Sequence, residues 1–340
     1  MSVQVKPITS RDEWEKFLAE YQPHTFLQNW AWGEAQKILG HQIFRLGIYD
    51  QEKIVGLALI YKIQAKRGSF LFCPHGPLLD WNQPEAFQVL IQYLKNLGKK
   101  EKVDFLRISS LAENLEDRKQ QFKTIGFRNA PVHMMHPELA WLIDITKSEE
   151  EILSGIKKRT RYSIRKAQND GVKIVVSSES AGVEKFYDLY LETAKRQKFV
   201  PFTKDYIKKE FEIFSQENKI LVFFGYYQEK LLATAMIVFA NDSGFYHHGA
   251  SIRETSGVPV AELLQWEAVK EAKRRGMKFY NFWGIAPENS PHHPWAGLSL
   301  FKKGFGGFAE SYLHAQDLVL SPKYWLNYLV ESLRRIKKRY

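Results

Sequence analysis

Gly47-Ile48-Tyr49-Asp50-Gln51-Glu52-Lys53-Ile54-Val55-Gly56 returns later in the chain as Gly225-Tyr226-Tyr227-Gln228-Glu229-Lys230-Leu231-Leu232-Ala233. Working outward, three more stretches recur in the same order. Phe72-Cys73-Pro74-His75-Gly76-Pro77 is matched by Tyr246-His247-His248-Gly249-Ala250, and Leu90-Ile91-Gln92-Tyr93 by Leu263-Leu264-Gln265-Trp266. Phe122-Lys123-Thr124-Ile125-Gly126-Phe127 is matched by Phe301-Lys302-Lys303-Gly304-Phe305. Offsets of 173 to 179 residues, in one order, read as two copies of one domain. A duplicated domain offers a cleft between copies as a place for ligands.

Composition agrees with two folded copies. The 340 residues exceed what one core usually serves, and 44% apolar side chains can fill two. The single cysteine, Cys73, excludes an internal disulfide and points to a reducing compartment. The start, Met1-Ser2-Val3-Gln4-Val5-Lys6-Pro7, lacks a signal-peptide pattern, and apolar runs such as residues 231–240 are far short of a bilayer span. A soluble, cytoplasmic protein is expected. The net charge of +11 is concentrated in Lys157-Lys158-Arg159-Thr160-Arg161-Tyr162-Ser163-Ile164-Arg165-Lys166 and in Arg334-Arg335-Ile336-Lys337-Lys338-Arg339. Such clusters attract nucleic acid, diphosphates or an anionic membrane face, and solvated helix faces carry them equally often.

Local signals give each copy one order of elements. Thr9-Ser10-Arg11-Asp12-Glu13 and Thr146-Lys147-Ser148-Glu149 have the form of helix-capping boxes. Hairpins are expected over residues 43–49 with 54–63, and 220–226 with 231–239. A strand through Phe70 or Phe245, a helix over 85–97 or 261–275 and a strand over 103–108 or 278–283 then follow. The fold class is α/β, with mixed sheets covered by helices. From capped start to first hairpin strand the first copy uses residues 9–42 and the second 146–219. The surplus is expected to form helices of its own and contains the basic decapeptide. Domain boundaries are set at 1–145 plus a C-terminal helix over 317–340, and at 146–316.

This order resembles the GNAT acyltransferase fold, and two such units in tandem resemble the FemABX peptidyltransferases. Those bacterial enzymes move an amino acid from aminoacyl-tRNA onto the stem peptide of a peptidoglycan precursor. The resemblance runs nearly end to end. It is carried by Phe26-Leu27-Gln28-Asn29-Trp30-Ala31-Trp32-Gly33-Glu34, the basic decapeptide with Ala167 and Gly171-Val172, Tyr246-His247-His248-Gly249-Ala250-Ser251, and Gly297-Leu298-Ser299-Leu300-Phe301-Lys302-Lys303-Gly304-Phe305-Gly306-Gly307. No coiled-coil heptads are present, so the helical arm of some family members is not expected. An acetyl-CoA cradle needs a glycine-rich turn at a helix N-terminus. Arg253-Glu254-Thr255-Ser256-Gly257-Val258-Pro259-Val260-Ala261 has one glycine and a proline, and residues 78–85 have no glycine.

Aminoacyl transfer passes through a tetrahedral intermediate with a negative oxygen, which needs a cation or donor where the charge develops. The resemblance places Lys302, with Phe301, in that role. The spacing alone leaves a structural alternative open, because Lys123 holds the same place in the first copy. Lys303 serves as the replaceable control. For the acceptor, lipid II or UDP-MurNAc-pentapeptide, the resemblance points to a lysine after the tryptophan motif, where Gln36 and Lys37 both fall, and Lys37 is chosen. Trp32, Arg107, Ser109, Tyr206 and Tyr246 complete the substrate-binding candidates. The family's arginine four residues before a tyrosine is Phe202 before Tyr206 here, which tilts the expectation toward a lipid-linked acceptor. Lys157, Lys158, Arg159, Arg161 and Arg165 are the candidates for the tRNA acceptor arm.

No cofactor and no metal are expected. His247-His248 and His292-His293 are adjacent pairs, whose side chains point apart in a regular strand, and there is no HExxH. The segment 324–340 reads as a basic amphipathic helix, to rest on the inner membrane leaflet or to pack on the first domain. Competing functions are a GNAT-like N-acyltransferase with another acyl donor, and a non-catalytic RNA-binding protein.

Overall fold

The structure is a computed structural model and describes residues 3–65, 67–132, 136–252 and 257–337. Residues up to Glu138 form one unit with those from Ser311 onward, and Leu139–Glu310 form the other.

The first unit begins with β1 (Val3–Pro7), α1 (Arg11–Glu20), α2 (Trp30–Ile38), β2 (Gln42–Asp50), β3 (Lys53–Ala65), β4 (Gly68–Pro74) and β5 (Leu78–Leu79). It continues with α3 (Pro84–Lys100), β6 (Phe105–Ser109), α4 (Glu116–Ile125) and β7 (Arg128–Asn129). The second unit contains β8 (Leu139–Asp144), α5 (Glu149–Gly155), α6 (Lys158–Asn169), β9 (Lys173–Ser177), α7 (Ala181–Gln197) and α8 (Lys204–Ser215). Then come β10 (Ile220–Tyr227), β11 (Lys230–Ala240), β12 (Ser243–Ser251), α9 (Val260–Arg274), β13 (Phe279–Gly284), α10 (Ala296–Lys303) and β14 (Phe308–Ser311). The chain closes with β15 (Gln316–Val319) and α11 (Tyr324–Lys337), both in the first unit.

The two sheets share one plan. The first runs β1-β2-β3-β4-β6-β15-β7, with β5 pairing β3, and the second runs β9-β10-β11-β12-β13-β8-β14. Position by position the strands correspond, with one parallel pair in each, β4·β6 and β12·β13. The repeated peptides form the β2–β3 and β10–β11 hairpins, closed by the pairs Asp50↔Lys53 and Tyr227↔Lys230 across two-residue turns. In the second turn Gln228 and Glu229 both have positive φ, 48° and 61°, the conformation that matches the strand twist. The sixth strand of each sheet comes from the segment that follows the other repeat: β8 follows β7 and enters the second sheet, β15 follows β14 and enters the first.

Two expectations are revised. β9 pairs β10 just as β1 pairs β2, so the second repeat begins at β9, with α7 and α8 standing where α1 and α2 stand. The surplus is therefore α5 and α6, placed ahead of the repeat. The cap at Ser148 is a complete capping box with Glu151, and it opens an added helix rather than the repeat's own. The segment 139–144, inside the first domain on the sequence boundaries, pairs with β13 and places Ile143 in the core of the second unit.

The tryptophan motif braces the first unit. Buried Gln28 accepts from Leu59 N–H at 2.7 Å and donates to Pro74 O at 2.6 Å, joining neighbouring strands. Arg45 lies 3.6 Å over the Trp30 ring and pairs with Glu34 at 2.9 Å. A side chain at Gly33 would meet that guanidinium.

Arg107 is sealed inside this unit. Its Nε and Nη2 donate to Asp317 at 2.7 Å each, and Nη2 also donates to Glu331 at 2.8 Å. The Tyr324 hydroxyl lies 3.2 Å from Asp317. Burial opposes the charge on Arg107, but the two carboxylates outweigh it and raise the guanidinium pKa. This cluster ties β6, β15 and α11 together. Among the described residues no helix is long and apolar enough to cross a membrane, and the longest, α3 and α7, have 17 residues. Replacing Arg107 by Met strands buried Asp317 without its cation, and is expected to cost about 3–5 kcal/mol in urea unfolding.

Candidate functional site

In the second unit the parallel pair comes apart. β12 and β13 hold register at Ser243↔Phe279, Gly244↔Tyr280 and Phe245↔Asn281 and then separate. In the first unit β4 and β6 stay paired over five positions, from Phe70↔Phe105 to Pro74↔Ser109. Bulges accompany the separation. Against β11, His247 is an extra residue in β12, and against β8 the register of β13 shifts between Asn281 and Gly284. Trp283 has φ 68°, a strained conformation for a bulky residue, and its N–H is held by Asn281 Oδ1 at 2.8 Å. The carboxyl ends of parallel strands are where open α/β sheets receive ligands.

α10 brings Lys302 to this end of the sheet. The Lys302 Nζ donates to Gly284 O at 2.6 Å, and the side chain is 4% exposed. Ser299, one turn earlier, accepts from Ala286 N–H and donates to Trp295 O, both at 2.7 Å. Beyond the helix, Gly306 and Gly307 have φ 77° and 96° and lie against the backbones of Gly155 and Leu142. Trp141 Nε1 donates to Gly306 O at 2.6 Å. Only glycine combines that φ with that approach, so the Gly304-Phe305-Gly306-Gly307 run fixes the end of α10.

No carboxylate among the described residues pairs with Lys302, and its ammonium lies 5.9 Å from the centroid of the Tyr246 ring. Burial pushes the ammonium pKa down to about 7. Lys123, its counterpart in the first repeat, is exposed. Lys303 turns away, 5.4 Å over the Trp141 ring. Phe301 packs against Phe305, 5.4 Å between centroids.

Tyr246 lies across Gly249, where any side chain would collide with its ring. Burial raises its hydroxyl pKa to about 12. Tyr206 stacks on Phe202 at 4.7 Å, and Phe202 meets His248 edge-on at 5.8 Å.

The expectation that His247 and His248 point apart is overturned by the bulge. With an extra residue in β12 the alternation is interrupted, and the two imidazoles lie side by side, 3.9 Å between centroids. Both face Glu210 of α8, with Nε2 to carboxylate distances of 2.6 and 3.5 Å. Burial would raise the Glu210 pKa, but the two imidazoles outweigh it and hold the carboxyl at about 2, while burial keeps His248 below its usual value. Among the described residues this is the group whose donor atoms could share a metal ion. Ligands on a zinc ion stand about 3.3 Å apart, given bonds of about 2.0–2.1 Å. The 2.6 Å contact is that of a carboxylate paired directly with an imidazole. Trp283, Gly284 and this Glu–His group are not legible in the sequence because bulges have no sequence marker; the doubled histidine is the visible sign.

The remaining candidates fall in different places. Lys37 is exposed on α2 and Gln36 buried beneath it. Trp32 is buried edge-on to Phe26, Ser109 is buried at the end of β6, and Arg107 is taken up by its ion cluster. Lys157, Lys158, Arg159 and Arg165 are exposed at or on α6. Arg161 instead caps α5, donating to Ser154 O at 2.6 Å and to Ile156 O. Arg159 acts electrostatically on Glu262 in the first turn of α9, whose carboxyl pKa burial raises. Residues 253–256 of the stretch tested as a CoA cradle, and Lys338 and Arg339 of the basic tail, lie outside the described residues.

A family model described as the FemAB family matches residues 9–230 and 224–332. The lipid II:glycine glycyltransferase of Staphylococcus epidermidis is 21% identical, across 94% of this chain and 93% of its own. The crystal structure of FemX superposes with a TM-score of 0.83 at 18% identity, over 97% of this chain and 100% of that one. A tandem GNAT protein from the clavulanic acid biosynthesis pathway gives a TM-score of 0.58 at 11% identity, over 94% and 99%. The fold is thus a pair of GNAT-like domains.

Lys302 also leaves a mark on stability. Below pH 7 both folded and unfolded chains carry its proton, and the full cost of burying an ammonium is present. Between about 7 and 10.5 the unfolded chain binds a proton that the folded one lacks, so stability rises with pH. Replacing Lys302 by Met is expected to raise the melting temperature at pH 6, by a few kcal/mol of stability, with the gain shrinking toward pH 10.

Proposed function

We propose that this chain, which belongs to the FemAB family, transfers an amino acid from aminoacyl-tRNA to the stem-peptide amine of a peptidoglycan precursor. The observation that carries this reading is a buried ammonium with no carboxylate partner, held at the carboxyl end of two parted strands. A cation kept in a dry site without a counter-ion is unfavourable in the resting fold and useful when negative charge arrives.

The amine nitrogen attacks the ester carbonyl, and the carbonyl oxygen takes up negative charge beside Lys302. As the intermediate collapses, the carbon–oxygen bond to the tRNA ribose breaks, the ribose hydroxyl gains a proton and the new amide loses one. Tyr246 lines the site next to Lys302. Tyr206 with Phe202 offers an aromatic surface for the acceptor, and exposed Lys37 is a candidate phosphate contact. Lys157, Lys158, Arg159 and Arg165 supply the cations for the tRNA arm. The relatives named for glycine transfer to lipid II support a lipid-linked acceptor.

Two features weigh against a thioester donor. α9 starts directly after Pro259, which has no N–H, and carries Glu262 in its first turn, where a pyrophosphate would need positive potential.

The test is incubation with mixed aminoacyl-tRNAs and either lipid-linked or nucleotide-linked precursor, reading the mass added to the stem peptide. Lys302→Met is expected to lower transfer by about 10²–10³-fold while tRNA affinity stays unchanged, and Lys303→Met to leave transfer intact. Equal transfer by wild type and Lys302→Met would remove the assignment. In the wild type kcat/KM is expected to decline as pH passes about 7, where the free enzyme loses the Lys302 ammonium. For the donor, each of Arg159→Gln and Arg165→Gln should reduce the salt slope of tRNA binding by about 0.7–0.9.

A further inference from the structure

α11 presents its apolar side to water. The face turned toward the first unit carries Tyr324, Asn327 and Glu331, of which Tyr324 bonds Asp317 and Glu331 pairs with Arg107. The opposite face carries Trp325, Leu326, Leu329, Leu333 and Ile336, each between 48% and 73% exposed. At about 100° per residue these five fall within one stripe roughly 100° wide. A helix that served only to cover the first unit would place its leucines inward and its charges outward, and here that arrangement is reversed.

The charge balance of the helix identifies what would cover the stripe. Lys323, Arg334, Arg335 and Lys337 are exposed, and Glu331, the acidic residue of the helix, is engaged by Arg107. A second copy meeting this face through a two-fold axis would set the cations against themselves. The α11 helix has 14 residues, too few to span a bilayer but suited to lie in its interface with the apolar ridge among the acyl chains and the cations among anionic headgroups. We propose that α11 docks this protein on a membrane surface containing anionic phospholipid. The ion cluster around Arg107 holds the helix rigidly, so the ridge is presented without the entropy loss of folding on contact.

This goes beyond the transfer reading and is tested apart from it, because binding requires no turnover. The full chain is centrifuged with vesicles of phosphatidylglycerol and phosphatidylethanolamine, or of phosphatidylcholine alone. Binding to the anionic vesicles is expected, weakening with salt. The double variant Leu329→Ser, Leu333→Ser should reduce it at least tenfold with an unchanged melting temperature, since both side chains are exposed. Arg334→Gln with Arg335→Gln should erase the preference for anionic over neutral vesicles. Absence of binding by the wild type, or equal binding by the leucine variant, would overturn the proposal. So would a wild-type dimer in light scattering that the leucine variant converts to monomer.

Discussion

A lysine ammonium buried against a single carbonyl is the constraint around which the second unit is organised. Holding Lys302 on Gly284 O requires β13 to end where it does, α10 to start close by and the chain after α10 to turn sharply. Ser299, Trp141 and the paired glycines 306 and 307 meet those needs, each through backbone contacts that do not depend on charge. The ammonium itself contributes nothing favourable to the resting fold. Its neighbours hold it in place against the cost of its desolvation.

The two repeats share strand order and differ at the carboxyl end of the parallel pair. β4 and β6 remain zipped in the first unit, so their backbone groups are spent on each other. β12 and β13 part in the second, assisted by a bulge in each strand and by the strained Trp283. Lys123 points to water while Lys302 is enclosed. One copy thus has a parallel pair of five positions, and the other a pair of three that parts beyond Phe245 and Asn281. The exchange of sixth strands links them further. Each sheet is completed by the segment following the other repeat.

The FemAB family match also gives structural meaning to motifs that carry no evident chemistry. Gln28, Trp30, Gly33 and Glu34 interlock with Arg45, Leu59 and Pro74, which explains why those residue types occur together without any of them being a reacting group. Arg107 belongs to the same class. A buried guanidinium beside two carboxylates is an anchor, and what it anchors is the helix whose apolar side is left outward.

Much was legible in the sequence because it depends on local periodicity and turn chemistry. The repeated hairpin peptides, the helix over 85–97 and the Ser148 cap announce the doubled α/β architecture, and Phe301-Lys302 with its glycines marks the end of α10. The cap at Ser148 signals a helix start without saying which sheet the helix serves, and its helix precedes the repeat that begins at β9. What tertiary structure alone decided was pairing and environment. The insertion of one residue that sets His247 beside His248, the parting of β12 from β13, the strand exchange and the burial that separates Lys302 from Lys123 all depend on contacts between residues distant in the chain. The same side chain in corresponding motifs acquires different properties there, because desolvation is set by what the rest of the fold places around it.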